Sequence, residues 1–351
     1  MKEEAVRKIL EKCRRAREEI HRKIIGLDGH ITLLFVTLLA KGHILIEGEP
    51  GEGKSLLASA FLEIFNLDAS RIQMTADIMP EDIRFAYNLL QEGGTELKNL
   101  KVDRGSLFAQ LILIDEINRA QPKTQSVLLE PMEEGTISYE RKTIKMKQPY
   151  MVIATANPVE TSTGGVFELP PAACDRFMLK DLYPYPNIEL LKKIYVRDRR
   201  HLSLEKIFMS GDEILEAQNF VTEFRLRYDE HHYIIEYIAR LINCIRQSGL
   251  IRHDEEKGSG YGPTPRAGED LLDAAAAYVV LHWQERQIKH VTFDDVLQLV
   301  YPTVRFKFVF DPRKRAEARE LGINSNDDLI RIAIANTPIP IGLKKVKAVR
   351  P

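Results

Sequence analysis

The stretch HILIEGEPGEGKSLLASA (residues 43–60) decides the fold of this 351-residue chain. A short apolar run precedes the pattern G-x-x-x-x-G-K-S, formed by Gly48, Gly53, Lys54 and Ser55, and a helical pattern follows it. Glycines let successive backbone N–H groups turn toward an anion, and the helix adds the positive end of its dipole. We therefore predict a phosphate-binding loop in which Lys54 reaches the β- and γ-phosphates of a nucleotide and Ser55 ligates Mg²⁺. The predicted nucleotide-binding residues of this loop are Gly48, Glu49, Pro50, Gly51, Glu52, Gly53, Lys54, Ser55 and Leu56.

Two adjacent carboxylates follow a second apolar run, LILIDE (111–116). Ligands of open α/β sheets bind at the carboxyl ends of the strands, which is where Asp115 and Glu116 fall. We predict that Asp115 holds Mg²⁺ and that Glu116 orients and deprotonates a water molecule for attack on the γ-phosphate. A P-loop kinase needs no such water activator, so the glutamate favours hydrolysis.

Three further polar residues become candidates through their surroundings. Asn157 ends the apolar run VIATAN (152–157), where its amide could contact the γ-phosphate or the attacking water. Arg176 lies in CDRF (174–177), and Arg266 begins a helical pattern in GPTPRAGEDLL (262–272). An Asn-Pro pair is ordinarily a turn and an arginine is ordinarily on the surface. Beside a phosphate loop, however, arginine suits the stabilisation of transferring phosphoryl oxygens.

The chain divides into two regions by pattern. Short apolar runs alternate with helical patterns up to about residue 185, which predicts an α/β domain with a buried parallel sheet. The runs are HILIE (43–47), RIQM (71–74), LILID (111–115) and MVIAT (151–155). Polar segments at 83–104 and 136–149 are predicted hairpins. Residues 186–310 are predicted to form a smaller all-α domain, and residues 311–351 a C-terminal extension.

Composition disfavours several classes of protein. A net charge of −1 gives no global attraction to nucleic acid or to an anionic membrane. Cys13, Cys174 and Cys244 are widely spaced, which disfavours a zinc site and fits a reducing cytoplasm. The longest apolar run, residues 31–40, has about half the length that spans a bilayer. We therefore predict a cytoplasmic protein without a membrane span.

Taken together, these motifs resemble those of the MoxR family of AAA+ ATPases over roughly residues 25–305. The phosphate loop, DEINRAQPKTQSVLLEPMEEG (115–135), VIATANP (152–158), LPPAACDRF (169–177) and PTPRA (263–267) occur in the family's order and spacing. The long segment after Asp115 is particularly specific, since AAA+ proteins in general share only its first residues.

The resemblance implies an ATP hydrolase with MgATP between the subunits of a homo-oligomeric ring, usually a hexamer. In it, Asn157 would be the sensor-1 residue, Arg176 the arginine finger, and Arg266 the sensor-2 arginine, acting in cis or in trans. The chain around Ile25 and Gly26 would pass the adenine. The segments at 83–104 and 136–149 would be the helix-2 insert and the pre-sensor-1 hairpin. The implied client is a protein with a von Willebrand factor A domain.

Two other functions stay open. A nucleic-acid-dependent or chelatase-type motor would share these inserts, and the second hairpin carries Arg141, Lys142, Lys145 and Lys147. Nucleic acid is nevertheless the less favoured partner on overall charge. A small-molecule P-loop kinase is the third class, but it explains neither Glu116 with Asn157 nor Arg176.

Overall fold

The computed structural model describes residues 2–88, 101–139, 142–158, 165–196, 204–207, 209–254, 259–260, 262–286 and 290–340. A five-stranded parallel sheet lies at its centre, formed by β1 (Ile44–Glu47), β2 (Ala69–Gln73), β5 (Leu111–Asp115), β8 (Met151–Ala156) and β9 (Leu179–Leu182). The strand order is β2-β5-β8-β1-β9. The predicted α/β fold with a parallel sheet is therefore confirmed.

Both faces of the sheet are covered, as parallel sheets require. Ile44 and Ile46 pack into one core cluster, whereas Leu45, between them, packs into another. The central strands β5 and β8 are buried at every position, which explains their continuous apolar runs. Because all strands run the same way, their carboxyl ends meet at one edge of the sheet.

The two edge strands depart from the sequence prediction. The run around β2 was predicted to be a buried strand, but only Ile72 of its five residues is buried. Strand β9 was not predicted at all, because its sequence LKDL mixes charged with apolar residues. Each edge strand pairs on one side only, so polar side chains find solvent or partners there.

The two polar segments form antiparallel hairpins. Strands β3 (Phe85–Asn88) and β4 (Lys101–Arg104) pair in the first, and β6 (Thr136–Tyr139) and β7 (Lys142–Lys145) pair in the second. Residues 89–100 and 140–141, which include Arg141, lie outside the described residues. A third pair, β10 (His253–Asp254) with β11 (Ser259–Gly260), lies within the helical region.

Helices cover the sheet and form the second half of the chain. The α-helices are α1 (Lys2–Lys23), α2 (Asp28–Leu39), α3 (Lys54–Ile64), α4 (Pro80–Arg84), α5 (Pro122–Gln125), α6 (Leu129–Glu134), α7 (Pro171–Cys174), α8 (Ile188–Tyr195), α9 (Gly211–Arg225), α10 (Tyr228–Arg246), α11 (Pro265–Leu281), α12 (Phe293–Val304), α13 (Arg315–Glu320) and α14 (Asn326–Asn336). Short 3-10 helices lie at Ser106–Phe108, Ile117–Arg119, Ser126–Leu128 and Pro312–Lys314. Helix α11 is central to the helical half, since it packs against α2, α9, α10 and α12.

Part of the predicted C-terminal extension belongs to this helical packing. Helix α14 buries Leu329, Ile330 and Ala333 and packs against α10 and α12. A capping box of Ser325 and Asp328 fixes where the helix begins. Residues 341–351 lie outside the described residues.

Within the described ranges, no helix combines the length and apolar character needed to cross a membrane. Each of the three cysteines is free, and Cys13 is buried in the core.

Candidate nucleotide site

The loop between β1 and α3 has the backbone that the glycine pattern predicts. Gly51 and Gly53 adopt left-handed φ angles of 89° and 93°, which disfavour residues with a Cβ. A Cβ on Gly48 would lie 2.7 Å from the Cβ of Tyr183, so the loop and the chain after β9 approach too closely for any side chain. Helix α3 begins at Lys54, directly after Gly53.

Lys54 is buried at the centre of the site. Its Nζ donates hydrogen bonds to the carbonyl oxygens of Gly48 (2.5 Å) and Glu49 (2.6 Å), and to Asn157 Oδ1 (3.2 Å). Burial lowers the pKa of this ammonium below its usual value, although Glu52 and Glu49 oppose the shift. The predicted phosphate lysine thus lies beside the predicted sensor asparagine.

The two predicted Mg²⁺ ligands are in direct contact. Ser55 Oγ donates a hydrogen bond to Asp115 Oδ1 at 2.7 Å, and Thr155 Oγ donates to the same oxygen at 2.6 Å. Arg71 Nη2 lies 2.5 Å from the other oxygen, Asp115 Oδ2. Burial alone raises the pKa of Asp115, but the hydrogen bonds from Thr155, Ser55 and Arg71 outweigh it and hold the pKa below its usual range. The carboxyl group is therefore an anion able to face a cation.

Glu116 is held in an uncommon backbone conformation. Its φ of 55° is left-handed, which is rare outside glycine and concentrates at functional positions. Its N–H donates to Thr155 Oγ at 2.9 Å. Its carboxylate accepts from Gln73 Nε2 (2.9 Å) and, more weakly, from Asn157 Nδ2 (3.4 Å). A carboxylate in this position can accept a proton from water.

Hydrogen bonds thus connect five of the predicted residues into one site at the carboxyl edge of the sheet, with the Thr155 hydroxyl joining its two halves. The five are Lys54, Ser55, Asp115, Glu116 and Asn157.

Sequence reasoning missed the residues that orient these five. Asn118 donates to the Asn157 carbonyl oxygen at 2.7 Å, and Arg119 Nε lies 3.1 Å from Glu116. Thr155, Arg71 and Gln73 make the contacts given above. One signal was available: Arg71 and Gln73 stand two apart on a strand, and so share a face.

Of the predicted adenine-contacting residues, Gly26 lines a cleft of about 790 Å³, and Ile25 lies next to it in the chain, half-buried. The cleft is bounded by Leu27, His30, Asp181, Leu182 and Tyr278, among others. It neighbours the phosphate loop, because Tyr183, the residue after Leu182, contacts Gly48.

Arg176 and Arg266 lie together, away from these residues. Both side chains form ion pairs with Glu133 of α6, Arg176 with Oε2 and Arg266 with Oε1, the latter at 3.4 Å. Thr264, which precedes α11, donates to Asp175 Oδ1 at 3.0 Å.

This arginine pair lies at the amino edge of the sheet. His43, directly before β1, contacts the Met132 carbonyl oxygen at 3.0 Å through Nε2, and its own carbonyl accepts from the Met178 N–H at 2.9 Å. Burial lowers the pKa of His43 to about 4, so the ring is neutral. Strand β1, which spans about 13 Å at the usual rise per residue, lies between His43 at this edge and the phosphate loop at the other. A single chain therefore does not bring Arg176 and Arg266 to its own Lys54.

The residues at the carboxyl edge fit ATP and Mg²⁺ by their chemistry. The loop turns through Gly51 and Gly53 in left-handed conformations and ends at the N-terminus of α3, where backbone N–H groups can bind an anion. Serine hydroxyl and aspartate oxygens are the hard ligands that Mg²⁺ prefers, and few protein ligands are needed beside phosphate. The arrangement of parallel sheet, phosphate loop and paired acidic residues defines a P-loop nucleotide-binding domain.

Comparisons with known proteins agree with this class. The profile described as "ATPase family associated with various cellular activities (AAA)" matches residues 43–179. The uncharacterized protein YeaC of Bacillus subtilis is 32% identical over 95% of this chain and 96% of its own. Chaperone MoxR1 of Mycobacterium tuberculosis is 32% identical over 84% of this chain and 75% of its own. A crystal structure from Cytophaga hutchinsonii, described as a candidate ATPase, has a TM-score of 0.80 at 26% identity and covers 96% of this chain and 98% of its own.

The chain belongs to the MoxR family of AAA+ ATPases. Membership confirms the resemblance drawn from the motifs, and it implies nucleotide binding. The roles of the individual site residues stay predictions.

Proposed function

We propose that this chain hydrolyses MgATP at the interfaces between copies of itself and uses the resulting conformational change to remodel a client protein. The observation that carries the proposal is the separation of the two halves of the site. Lys54, Ser55, Asp115, Glu116 and Asn157 are hydrogen-bonded at one edge of the sheet. Arg176 and Arg266 share Glu133 at the opposite edge.

The chemistry follows from the residues at the carboxyl edge. Lys54 and the loop N–H groups bind the phosphates, and Mg²⁺, when bound through Ser55 and Asp115, neutralises charge on the phosphate oxygens. Glu116 takes a proton from the attacking water, whose oxygen bonds to the γ-phosphorus as the bond to ADP breaks. Asn157, between Lys54 and Glu116, orients the γ-phosphate or the water.

Arg176 and Arg266 act together, and both act in trans. Because they share one carboxylate, they belong to one surface, and a neighbour's γ-phosphate offers the same paired contacts as Glu133 does. This extends the prediction from the sequence, which left Arg266 between cis and trans. Such a head-to-tail interface closes into a ring, for which we propose six subunits.

Turnover per chain is expected to rise with protein concentration, since each site needs a neighbour's arginines. Steady-state phosphate release measured over a dilution series, with the oligomer followed in parallel by light scattering, tests this. ATP affinity is measured over the same dilution series as a control. It should stay nearly constant, because the residues that bind ATP belong mainly to one chain. A turnover per chain that stays constant while the oligomer dissociates to monomers would contradict catalysis at interfaces.

From family membership we propose that the client is a protein with a von Willebrand factor A domain. We propose that the two proteins interact in the cytoplasm. Capture with Glu116→Gln in ATP tests it, since a slowly hydrolysing ring holds its client longer. We expect a protein with such a domain in the bound fraction when ATP is present, and its release when ADP replaces ATP. Lys54→Ala, which should not bind ATP, is the control and should not retain the client. Capture of nucleic acid instead, with salt-sensitive DNA stimulation of turnover, would favour the motor alternative.

We likewise propose residue 185 as the boundary between the nucleotide-binding domain and the lid, which the sequence predicts to end at residue 310. The packing of α14 on α10 and α12 supports extending the lid to about residue 340.

A further inference from the structure

Arg71 is a positively charged residue at the nucleotide site to which neither the motifs nor the proposed function gives a role. It lies on the edge strand β2, where it is paired in register with Leu113 of β5, while Gln73 is paired with Asp115. Arg71 and Gln73 share one face of the strand and point to consecutive acidic residues. Arg71 contacts Asp115, and Gln73 contacts Glu116.

The two oxygens of Asp115 have different partners. Oδ1 accepts from two neutral hydroxyl groups, those of Ser55 and Thr155. Oδ2 lies 2.5 Å from Nη2 of the Arg71 guanidinium. Within the described part of the chain, this contact is the ion pair of Asp115. A buried carboxylate is costly without a counter-charge, and the Asp115 side chain is only 4% exposed. Arg71 therefore supplies much of the charge compensation of Asp115.

Arg71 is nevertheless able to leave. Its side chain is 54% exposed, and its second contact, to Gln73 Oε1, is long at 3.5 Å. Water can solvate the half-exposed guanidinium once it leaves, and a divalent cation can supply the counter-charge that the buried Asp115 then needs. Ser55 does not need to move for this exchange, because its hydroxyl oxygen keeps lone pairs while its proton bonds to Asp115.

We propose that Arg71 is an exchangeable counter-cation of Asp115, which competes with Mg²⁺ for the charge of that carboxylate. When Mg²⁺ and nucleotide bind, Arg71 releases Asp115; when they leave, it returns and neutralises the carboxylate. Arg71 is thus a positioning residue that sets how strongly nucleotide binding depends on Mg²⁺. The inference rests on the proposed function, because it takes Asp115 as the acidic residue of a MgATP site.

The test is a titration of Mg²⁺ at fixed concentrations of a fluorescent, non-hydrolysable ATP analogue, using the full chain. For Arg71→Gln we expect the Mg²⁺ midpoint of nucleotide binding to fall about twofold to fivefold, within the range that a lost partly exposed ion pair allows. In EDTA the same variant should bind the analogue more weakly than the unchanged protein, because an uncompensated Asp115 repels phosphate. Arg71→Lys, which keeps the charge without the forked donor, should give an intermediate midpoint.

Arg331→Gln is the matched control. Arg331 is also an exposed arginine paired with an aspartate, Asp328, but on α14. It should leave both measurements unchanged. An Arg71→Gln midpoint that is unchanged or moves to higher Mg²⁺ would overturn the exchange. If the unchanged protein binds no analogue at any Mg²⁺ concentration, the nucleotide site itself fails, which is a separate result from a failed shift.

Discussion

Replacing Glu116 by glutamine is expected to lower the rate of ATP hydrolysis about a hundredfold or more, the usual contribution of a general base, while leaving ATP binding intact. Glutamine has nearly the shape of glutamate, and it keeps an oxygen to accept from Gln73 or Asn157. It lacks the basic carboxylate that removes the proton from water. The loss therefore falls on kcat and not on nucleotide affinity.

The measurement compares steady-state phosphate release with the affinity for ATP under conditions that exclude turnover. Glu236→Gln is the control, because Glu236 is an exposed glutamate of α10 whose partner is Arg240. It should change neither quantity. Hydrolysis by Glu116→Gln at the rate of the unchanged protein would assign proton removal to another group.

The left-handed backbone at Glu116 adds a second reason for the size of this effect. Strain of this kind costs about 1–3 kcal/mol and persists only where surrounding contacts enforce it. Here the N–H of Glu116 is fixed by Thr155, and its side chain by Gln73 and Asn157. The carboxylate is thus oriented by Gln73 of β2 and by Asn157 after β8, so no neighbouring group easily replaces it when Glu116 is substituted.

The sequence predicted these residues because each lies where a recognisable strand ends. The loop before Lys54, the pair Asp115 and Glu116, and Asn157 all follow short apolar runs, and parallel strands bring such ends to one edge. This inference needs no knowledge of strand order, since all carboxyl ends of a parallel sheet face the same way.

The supporting residues depend on strand order and on side-chain direction, which periodicity does not supply. Arg71 and Gln73 matter because β2 lies beside β5, and the run RIQM alone does not indicate its neighbour. Thr155 lies within an apolar run, where its hydroxyl contacts both acidic residues. Strand β9 was missed for the related reason that an edge strand needs only one buried face.

A mixture of Arg176→Ala and Lys54→Ala chains is expected to recover ATP hydrolysis that neither variant shows alone. Lys54→Ala loses the ammonium that binds phosphate, and Arg176→Ala loses a charge worth about a thousandfold or more in related phosphoryl transfers. The first chain still supplies the arginine, and the second still supplies the pocket. Arg176 lies at the amino edge beside Glu133, away from its own Lys54. One chain can therefore supply the pocket while another supplies the arginine.

The size of the recovery follows from the symmetry of the interface. In a head-to-tail ring with random mixing at equal amounts, about one quarter of the interfaces combine an intact pocket with an intact arginine. We therefore expect about one quarter of the turnover of the protein without substitutions at the same total concentration. The control mixes Arg176→Ala with a chain carrying both substitutions, where pockets exist but no Arg176 is present, and it should show no recovery. Co-assembly is checked by pulling down one tagged variant and detecting the other. Co-assembled mixtures without recovered hydrolysis would show that Arg176 does not act across an interface, and would leave its ion pair with Glu133 as a structural contact within the chain.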